Sequence, residues 1–330
     1  MNNTISLPLR FQWLNSPKVI GILNQFLQPK KRGRKGYNKI FMIRWLMAKQ
    51  LLGWSYRDLQ GITGIHYTTF IKFRGRLLRT FWFPRVFELL AQAAINGRKR
   101  LGLIADSSFV ETYSKRQEIG SSYSGYKKKQ GFKLHSLIDY RMRLPLFQLT
   151  SAGSSADIVF GSNLIRGTPE DIPVKSFLAD KGYDSEEFVH EMSRRWPGVK
   201  FGISVRKTRG KMTREEEKKT RNYKLKAGER HLKREFLNKR SEIERYFSRK
   251  KRVFNLGEER TRHLKNFRAN CYMTSIMEVL EWMSKMFQLF TRLFSQQKGL
   301  SPRRRRGWDG SDSAHFSRQE KQNKTFFNSF

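Results

Sequence analysis

Two short apolar segments of this chain each end at an aspartate. The first, LGLIAD, ends at Asp106, and the second, VKSFLAD, ends at Asp180. Apolar runs of this length are typical of buried strands, and ligands of open α/β sheets bind beyond the carboxyl ends of such strands. A charge beside a buried strand is costly unless it is paired. The position of each aspartate is therefore equally consistent with a metal-binding catalytic carboxylate and with a structural salt bridge.

The residues around these aspartates follow strand and helix patterns in turn. Residues 131–140 alternate between apolar and polar side chains, so we expect a strand whose polar face carries Lys133, His135 and Asp139. A partner strand is expected at 144–152, helices at about 156–166 and 185–196, and a last strand at 199–205. The order strand, hairpin, helix, strand, helix, strand predicts the α/β class, with a mixed sheet flanked by helices.

The charge of the chain points to a polyanionic partner. The sequence has 67 Lys and Arg against 28 Asp and Glu, a net charge of +39 spread over most of its length. Nucleic acid is the usual partner of such a charge. A small structural protein of the ribosomal type fits less well, because 330 residues with 13% aromatic content suffice for a real core and for two domains.

Cysteine content and hydropathy limit the cellular setting. Cys271 is the only cysteine, which excludes an internal disulfide and a cysteine-built zinc site. Apolar stretches stay shorter than the ~18 residues of a membrane span, and the N-terminus lacks the apolar region of a signal peptide. We therefore expect a soluble, intracellular protein in a reducing cytoplasmic setting, without a membrane partner.

The sequence of the N-terminal third predicts a helical DNA-binding region, which we place at residues 1–98. A helical stripe after Asn38 ends at Gly53, a short helix begins at Ser55, glycines supply a turn, and a basic helix follows. This outline predicts a helix-turn-helix at about 39–79, although two short helices joined by glycine occur in many folds. The DNA-binding candidates on the last helix are Tyr67, Thr68, Thr69, Lys72, Arg74 and Arg76.

A basic segment precedes this region. The sequence KKRGRKG contains Lys31, Arg32 and Arg34, which are further DNA-binding candidates. It fits a minor-groove arm and a solvated linker equally well.

Acidic residues are scarce in this chain, 28 against 67 basic ones, and three aspartates have local roles. Asp157 stands at a predicted helix start, Asp184 begins a predicted capping box, and Asp139 lies at a predicted hairpin turn. A third carboxylate beside the two strand-end aspartates could come from the basic helix predicted at about 230–253.

Helical phase selects Glu244 on that helix. Phe236, Ile243 and Phe247 define its packed face, and Glu244 lies on the shoulder of that face, about 80° from Phe236. Arg240 and Lys251 share the same shoulder. Glu244 is thus the carboxylate best placed to meet the aspartates, with two cations beside it to hold phosphate.

Four blocks in order resemble the DDE transposases of bacterial and archaeal insertion sequences. They are ADSS at 105–108, GFKLH at 131–135, ADKGYD at 179–184 and RSEIERYFSRKK at 240–251. The last matches the family signature Y-x2-R-x3-E-x6-K at Arg240, Glu244 and Lys251, and departs from it at Leu237. Residues 53–78 resemble the helix-turn-helix region of these enzymes, so the resemblance covers roughly 30–285.

The resemblance implies a ribonuclease-H-like catalytic domain and a two-metal mechanism. Asp106, Asp180 and Glu244 would bind two Mg²⁺ ions, with Mn²⁺ as a substitute, and Arg240 and Lys251 would complete the catalytic set. The enzyme would bind the terminal inverted repeats of its element, cleave the double-stranded DNA at their ends, and join the 3′-OH to target DNA. It would act as a homodimer in a synaptic complex. We expect the catalytic domain at 99–296 and a basic, disordered tail at 297–330.

Some alternatives stay open. A domesticated DNA-binding regulator that no longer cuts and a simple metal-dependent endonuclease are the alternative functions. His135, on the polar face with Lys133, fits a contact to DNA phosphate and a simple surface or hydrogen-bonded histidine equally well. Tyr183 fits stacking near a DNA end or packing in the core.

Overall fold

The computed structural model describes residues 5–27, 36–112, 118–169, 171–203, 238–257 and 262–299, with side chains up to residue 289. The proposed arm residues Lys31, Arg32 and Arg34 lie outside these residues. So do Leu237, the start of the helix predicted at 230–253, and the basic tail beyond residue 299.

The chain divides into two compact units, residues 1–40 with 281–330 and residues 41–280. In the first, a 3₁₀ helix at Leu9–Asn15 precedes helix α1 at Pro17–Phe26, whose N-cap Ser16 accepts a hydrogen bond from the Val19 amide. Phe11 and Leu23 are buried there. The predicted boundary between residues 98 and 99 falls within the second unit and stays a prediction.

The second unit begins with a run of helices. These are α2 at Lys39–Leu52, α3 at Tyr56–Thr63, α4 at Tyr67–Arg79 and α5 at Trp82–Ile95. Gly53, with φ of +66°, follows α2 as expected, because glycine adopts this conformation without steric cost. Ser55 caps α3 in a capping box with Asp58. The sequence did not predict α5.

A mixed sheet follows. Its strands are β1 at Leu101–Glu111, β2 at Ser122–Ser124, β3 at Lys129–Asp139, β4 at Leu144–Ala152, β5 at Val174–Ala179 and β6 at Lys200–Ile203. The five longer strands have the order β4-β3-β1-β5-β6. β3 is antiparallel to β1 and β4, whereas β5 is parallel to β1 and β6. Helix α6 at Asp157–Arg166 connects β4 to β5, and α7 at Glu186–Arg195 connects the parallel strands β5 and β6. The predicted α/β class, with a mixed sheet flanked by helices, is confirmed.

Helices cover both faces of this sheet. Leu103, Ala105 and Phe177 belong to a core that includes residues of α5, α6 and α7. Ile104 and Leu178 belong to a core on the other face, with residues of α8 at Ser241–Arg252 and α9 at Leu264–Gly299. Because side chains alternate along a strand, Asp106 and Asp180 continue the positions of Ile104 and Leu178, on the face that α8 covers.

Among the described residues, no helix combines the length and apolarity needed to span a membrane.

Candidate active site

The structure brings Asp106 and Asp180 together. Ala105 of β1 pairs with Ala179 of the parallel strand β5, so the two aspartates occupy the next positions on neighbouring strands, which lie about 4.8 Å apart. The Oδ1 atom of each carboxylate accepts a hydrogen bond from the following amide, Ser107 N and Lys181 N, at 2.7 Å in both cases. The backbone therefore orients both carboxylates in the same way.

The environment of Asp106 disfavours its charged form. Burial raises the pKa of Asp106 from 3.8 to about 6, the Ser107 amide opposes this shift, and the nearby charges of Asp180 and Asp157 add to it. Arg240 opposes it weakly. A carboxylate with a raised pKa beside a second carboxylate is a site at which a bound cation would be favourable.

Arg240 already places a positive charge at this site. It ends a short 3₁₀ helix, Asn238–Arg240, immediately before α8. Its Nη1 donates a hydrogen bond to Asp180 Oδ1 at 3.0 Å, and both side chains are partly exposed. The Arg240 side chain thus lies on the sheet side of α8, as its helical phase predicts.

Lys251 is attached to the same strand as Asp106. Its Nζ donates to the carbonyl oxygen of Phe109 in β1 at 2.9 Å. Burial lowers the pKa of Lys251, and the charge of Lys127 lowers it further. Arg240 and Lys251 therefore tie the two ends of α8 to the aspartate-bearing strands.

Glu244 lies apart from the aspartates. It is exposed, about 100° around α8 from Ile243, which is fully buried. Across the described ranges, no three His, Cys, Asp or Glu side chains are grouped closely enough to hold a metal ion. Glu244 lines an open hollow of about 490 Å³ together with Ser241, Arg245, Ser248, Arg249, Arg252 and Val253. The predicted grouping of three carboxylates is therefore not formed in this structure.

The sequence model of one protein family, described as Transposase DDE domain, matches residues 97–280, more than half of the chain. The chain belongs to this family. It is also similar in structure to a piggyBac transposase determined by cryo-EM in a synaptic complex with hairpin DNA. The TM-score is 0.47 at 10% sequence identity, and the match covers 86% of this chain and 75% of that one. No curated protein matches the chain.

Asp157 is a neighbour of the DDE-domain site that the sequence did not reveal. It is the first residue of α6, as expected, but the N-cap is Ala156 and no side chain caps the helix. Asp157 Oδ1 instead accepts hydrogen bonds from Ser107 Oγ at 2.7 Å and from Lys133 Nζ at 3.0 Å. One signal in the sequence could have indicated this role of Asp157. Lys133 and His135 are polar residues of β3, and they need polar partners if helices cover both faces of that strand.

His135 and Lys133 correct the prediction of an open polar face on β3. His135 is fully buried, its Nε2 lies 2.8 Å from Ser151 Oγ, and its ring stacks on Phe160. Burial lowers the pKa of His135 to about 4. Lys133 Nζ also donates to the Ser155 carbonyl oxygen at 2.8 Å. His135 is thus the hydrogen-bonded histidine of the second alternative and not a phosphate contact, because β3 is a central strand of the DDE domain and helices cover both of its faces.

Three further interpretations are settled by packing. Tyr183 is fully buried beside Phe188 in the core of the DDE domain, so it packs rather than stacks on DNA. Asp184 does not begin a capping box, because α7 starts after Ser185 and lacks a side-chain cap. Asp139 lies at the hairpin turn as predicted: it is the buried last residue of β3, and its Oδ1 accepts a hydrogen bond from the Arg141 amide at 3.4 Å.

The helix-turn-helix candidates divide into two groups. Lys72 and Arg76 are exposed on α4, and Tyr67, Thr68 and Thr69 are half-buried in its first turn. Arg74, which we expected to face DNA, is buried. Its Nη2 donates to the carbonyl oxygen of Asn266 at 2.8 Å and to Asn270 Oδ1 at 2.7 Å. Arg74 therefore joins α4 to α9, because it lies on the same face of α4 as the buried Phe70 and Leu77.

A second set of contacts joins the helical region to the DDE domain. Gln50 Nε2 of α2 donates to the carbonyl oxygens of Phe254 and Asn255, both at 3.1 Å. Asn255 Nδ2 donates in return to the Leu51 carbonyl oxygen at 3.1 Å. Phe254 and Asn255 directly follow α8, so α2 is hydrogen-bonded to the end of the helix that carries Glu244.

Proposed function

We propose that the protein is a transposase that binds the terminal inverted repeats of its insertion sequence, cleaves the DNA ends and joins the 3′-OH to target DNA. The observation that carries this proposal is the placement of Asp106 and Asp180 side by side on the sheet face covered by α8. Family membership supports the same reaction class.

DNA binding is supported by charge. The net charge of +39 favours a polyanion, and the exposed Lys72 and Arg76 give α4 a basic surface. In this proposal α4 reads the inverted repeat in the major groove. Tyr67, Thr68 and Thr69 stand at the N-terminal end of α4, where residues of recognition helices contact bases.

The donor groups fit divalent metal ions. Aspartate oxygens are the hard ligands that Mg²⁺ and Mn²⁺ prefer, and the raised pKa of Asp106 indicates a carboxylate whose charge is poorly compensated. We assign Asp106, Asp180 and Glu244 as the ligands of two such ions. Bound metals in sites of this kind activate a water and stabilise the leaving oxygen in phosphoryl transfer.

The protein groups around these ligands orient the reactants. The amides of Ser107 and Lys181 fix the directions of the two aspartates. Arg240 and Lys251 extend from the two ends of α8 toward the strands and would hold the phosphates on either side of the scissile bond. Glu244 lies between them on α8, and we assign it as the third ligand rather than Glu242, because Glu242 is already paired with Arg143 and Arg245.

The proposal includes an assembly and a location. Joining two ends of one element requires two catalytic domains, so we propose a homodimer in a synaptic complex with DNA. Its place is the nucleoid of a prokaryotic cytoplasm, where its DNA substrate lies.

One observation favours a second candidate function. Glu244 is exposed and does not group with the aspartates, which is what a DNA-binding regulator without cleavage activity would show. A hydrolytic endonuclease shares the metal ligands and differs only in lacking strand transfer.

Cleavage by matched variants tests the proposal. The full chain with Mg²⁺ is incubated with DNA that carries the sequences flanking its coding region, and cleaved and joined products are separated on gels. We expect Asp106→Asn to bind this DNA without cutting it, and Asp171→Asn, an exposed aspartate away from the site, to cut normally. Cleavage by Asp106→Asn would show that the metal-site assignment is wrong. Wild-type binding without cleavage would identify a regulator, and cleavage without joining an endonuclease.

A further inference from the structure

Two exposed aromatic side chains lie on the hairpin formed by β2, the following turn and the start of β3. This segment, residues 122–131 and here called the tyrosine hairpin, begins with SYSGYKKK. Tyr126 is 88% exposed and Tyr123 is 58% exposed. Exposed aromatic rings at one place on a surface are typical of binding sites, where they bury large area with few rotatable bonds.

The tyrosine hairpin is held in one conformation. Ser122 pairs with Gly131 and Ser124 pairs with Lys129. The Ser154 amide donates to Ser122 Oγ at 2.7 Å, which joins the hairpin to the segment after β4. Inside the turn, the Lys127 amide donates to Ser124 Oγ at 3.4 Å. A ligand that binds here would therefore pay little for ordering the protein.

The hairpin carries positive charge near Lys251, at the end of β1 that lies away from Asp106. Lys127 Nζ lies 4.8 Å from the centroid of the Tyr126 ring. Lys127 is also close enough to Lys251 for its charge to lower the pKa of the Lys251 ammonium. Lys129 differs, because Glu111 neutralises it at 2.5 Å. Cationic groups thus continue from Arg240 at Asp180, through Lys251, to the tip of the hairpin.

Aromatic rings beside cations are the elements of single-stranded DNA binding. Stacking on tyrosine requires the flat face of a base, which a duplex interior covers and an unpaired nucleotide exposes. The lysines neutralise the phosphates between such nucleotides. Neither contact reads base identity, so a site of this kind tolerates different sequences.

We propose that the tyrosine hairpin binds unpaired nucleotides of the DNA strand whose phosphodiester lies at Asp106 and Asp180, with Tyr126 and Tyr123 stacking on bases and Lys127 contacting phosphate. This inference rests on the proposed function, because the catalytic site determines which DNA strand is near. The hairpin would separate and hold the end of the strand beyond the scissile bond.

Binding of two DNA probes to the full chain tests this inference. The probes are a blunt duplex and the same duplex with a short unpaired end that contains 2-aminopurine, whose fluorescence falls when it stacks. The chain carries Asp106→Asn so that no DNA is cut. We expect the unpaired end to increase affinity about 10-fold and the 2-aminopurine fluorescence to be quenched, since each stacked base contributes about 5–150-fold.

Matched variants assign the effect to the hairpin. Tyr126→Ala is expected to lose the preference and the quenching while binding the blunt duplex as before, and Tyr126→Trp to keep both. Tyr37→Ala, which removes another exposed tyrosine (57% exposed), should change neither. Since Tyr126 makes no core contact, loss of folding is checked by the unchanged blunt-duplex affinity.

Three results would overturn the inference. The first is a preference for the unpaired end that persists when Tyr123 and Tyr126 are both replaced by alanine. The second is an equal loss of affinity for both probes in the tyrosine variants. The third is the absence of any preference for the unpaired end in the Asp106→Asn parent chain. If the hairpin variants bind both probes normally, the exposed rings serve a protein partner instead. Because these measurements involve no cleavage, their failure is distinct from a failure of the proposed transposase activity, which the Mg²⁺ cleavage test measures on its own.

Discussion

Ser107 Oγ donates a 2.7 Å hydrogen bond to Asp157 Oδ1. Ser107 also donates its amide to Asp106, so one residue joins the first turn of α6 to the aspartate of β1. The two bonds lie on opposite faces of the strand. Asp157 therefore acts on the candidate active site through Ser107, as a positioning residue.

Replacing Asp157 should lower the rate of cleavage more than DNA affinity. Asp157→Ala removes the acceptor of Ser107 and leaves the Lys133 ammonium without its carboxylate partner. Loss of such outer contacts around a metal site typically costs 10–100-fold in activity or metal affinity. We expect a fall of about that size in the single-turnover rate, measured with saturating DNA. A purely structural role for Asp157 would instead lower DNA binding and cleavage together, and Asp171→Asn is the control.

Neutralising Asp106 should stabilise the metal-free protein at neutral pH. The pKa of Asp106 is about 6 when folded against 3.8 as the ordinary value, so the folded state binds the proton more tightly. The free energy of unfolding then falls as pH rises from about 4 to about 6 and is constant above. Asp106→Asn should gain about 1–3 kcal/mol at pH 7, and the gain should vanish near pH 3.5. Urea denaturation in the presence of a chelator measures both values, and a less stable variant at pH 7 would contradict the assigned pKa.

A buried ion pair supports α8 next to Lys251. The Lys250 ammonium is fully buried, 3.0 Å from Glu278 Oε2 and 2.6 Å from Ser275 Oγ of α9. Glu278→Gln leaves this charge without its counter-ion and should cost about 3–5 kcal/mol in unfolding free energy. The double replacement Lys250→Met with Glu278→Leu should recover most of it. Thermal denaturation compares the three chains, and equal stability of the single and double variants would contradict this account.

Two arginines of α4, two residues apart, should have different roles. Arg76 is exposed, so Arg76→Ala should weaken DNA binding, reduce the salt dependence by about one phosphate contact and leave stability unchanged. Arg74 is buried against Asn266 and Asn270, so Arg74→Ala should lower stability by about 1–3 kcal/mol. Salt titrations of DNA affinity and urea denaturation separate the two effects. The assignment fails if Arg74→Ala reduces the salt dependence in a chain of normal stability.

Local patterns predicted much of the fold and the two aspartates of the site. Apolar runs identified β1 and β5, and glycine and serine marked the ends of α2 and α3, because these signals depend on neighbouring residues alone. The DNA contacts considered for His135 and expected for Arg74 were not found, for a different reason. Their partners Phe160 and Asn270 lie on other helices, which local sequence patterns do not identify. In addition, when helices cover both faces of a sheet, alternation of polar and apolar residues no longer distinguishes buried from exposed side chains.

The position of Glu244 shows the limit of helical phase. Phase predicted correctly that Arg240 would point toward the sheet, where it contacts Asp180. It gives the direction of a side chain around the helix axis but not the distance from that axis to the strands, which depends on the packing of Tyr246 and Phe247. The separation between Glu244 and the aspartates was therefore not predictable from the sequence.

The hydrogen bonds from Gln50 to the end of α8 and from Arg74 to α9 have a geometric consequence for DNA. They connect the helices proposed to recognise the DNA sequence with the helices that flank the aspartates. The distance between the proposed DNA-recognition helices and the candidate active site is therefore fixed in the folded chain. A cut would then fall at a set number of base pairs from the recognised sequence. Lengthening the DNA between them by half a helical turn would turn the scissile phosphate away from Asp106, whatever its sequence.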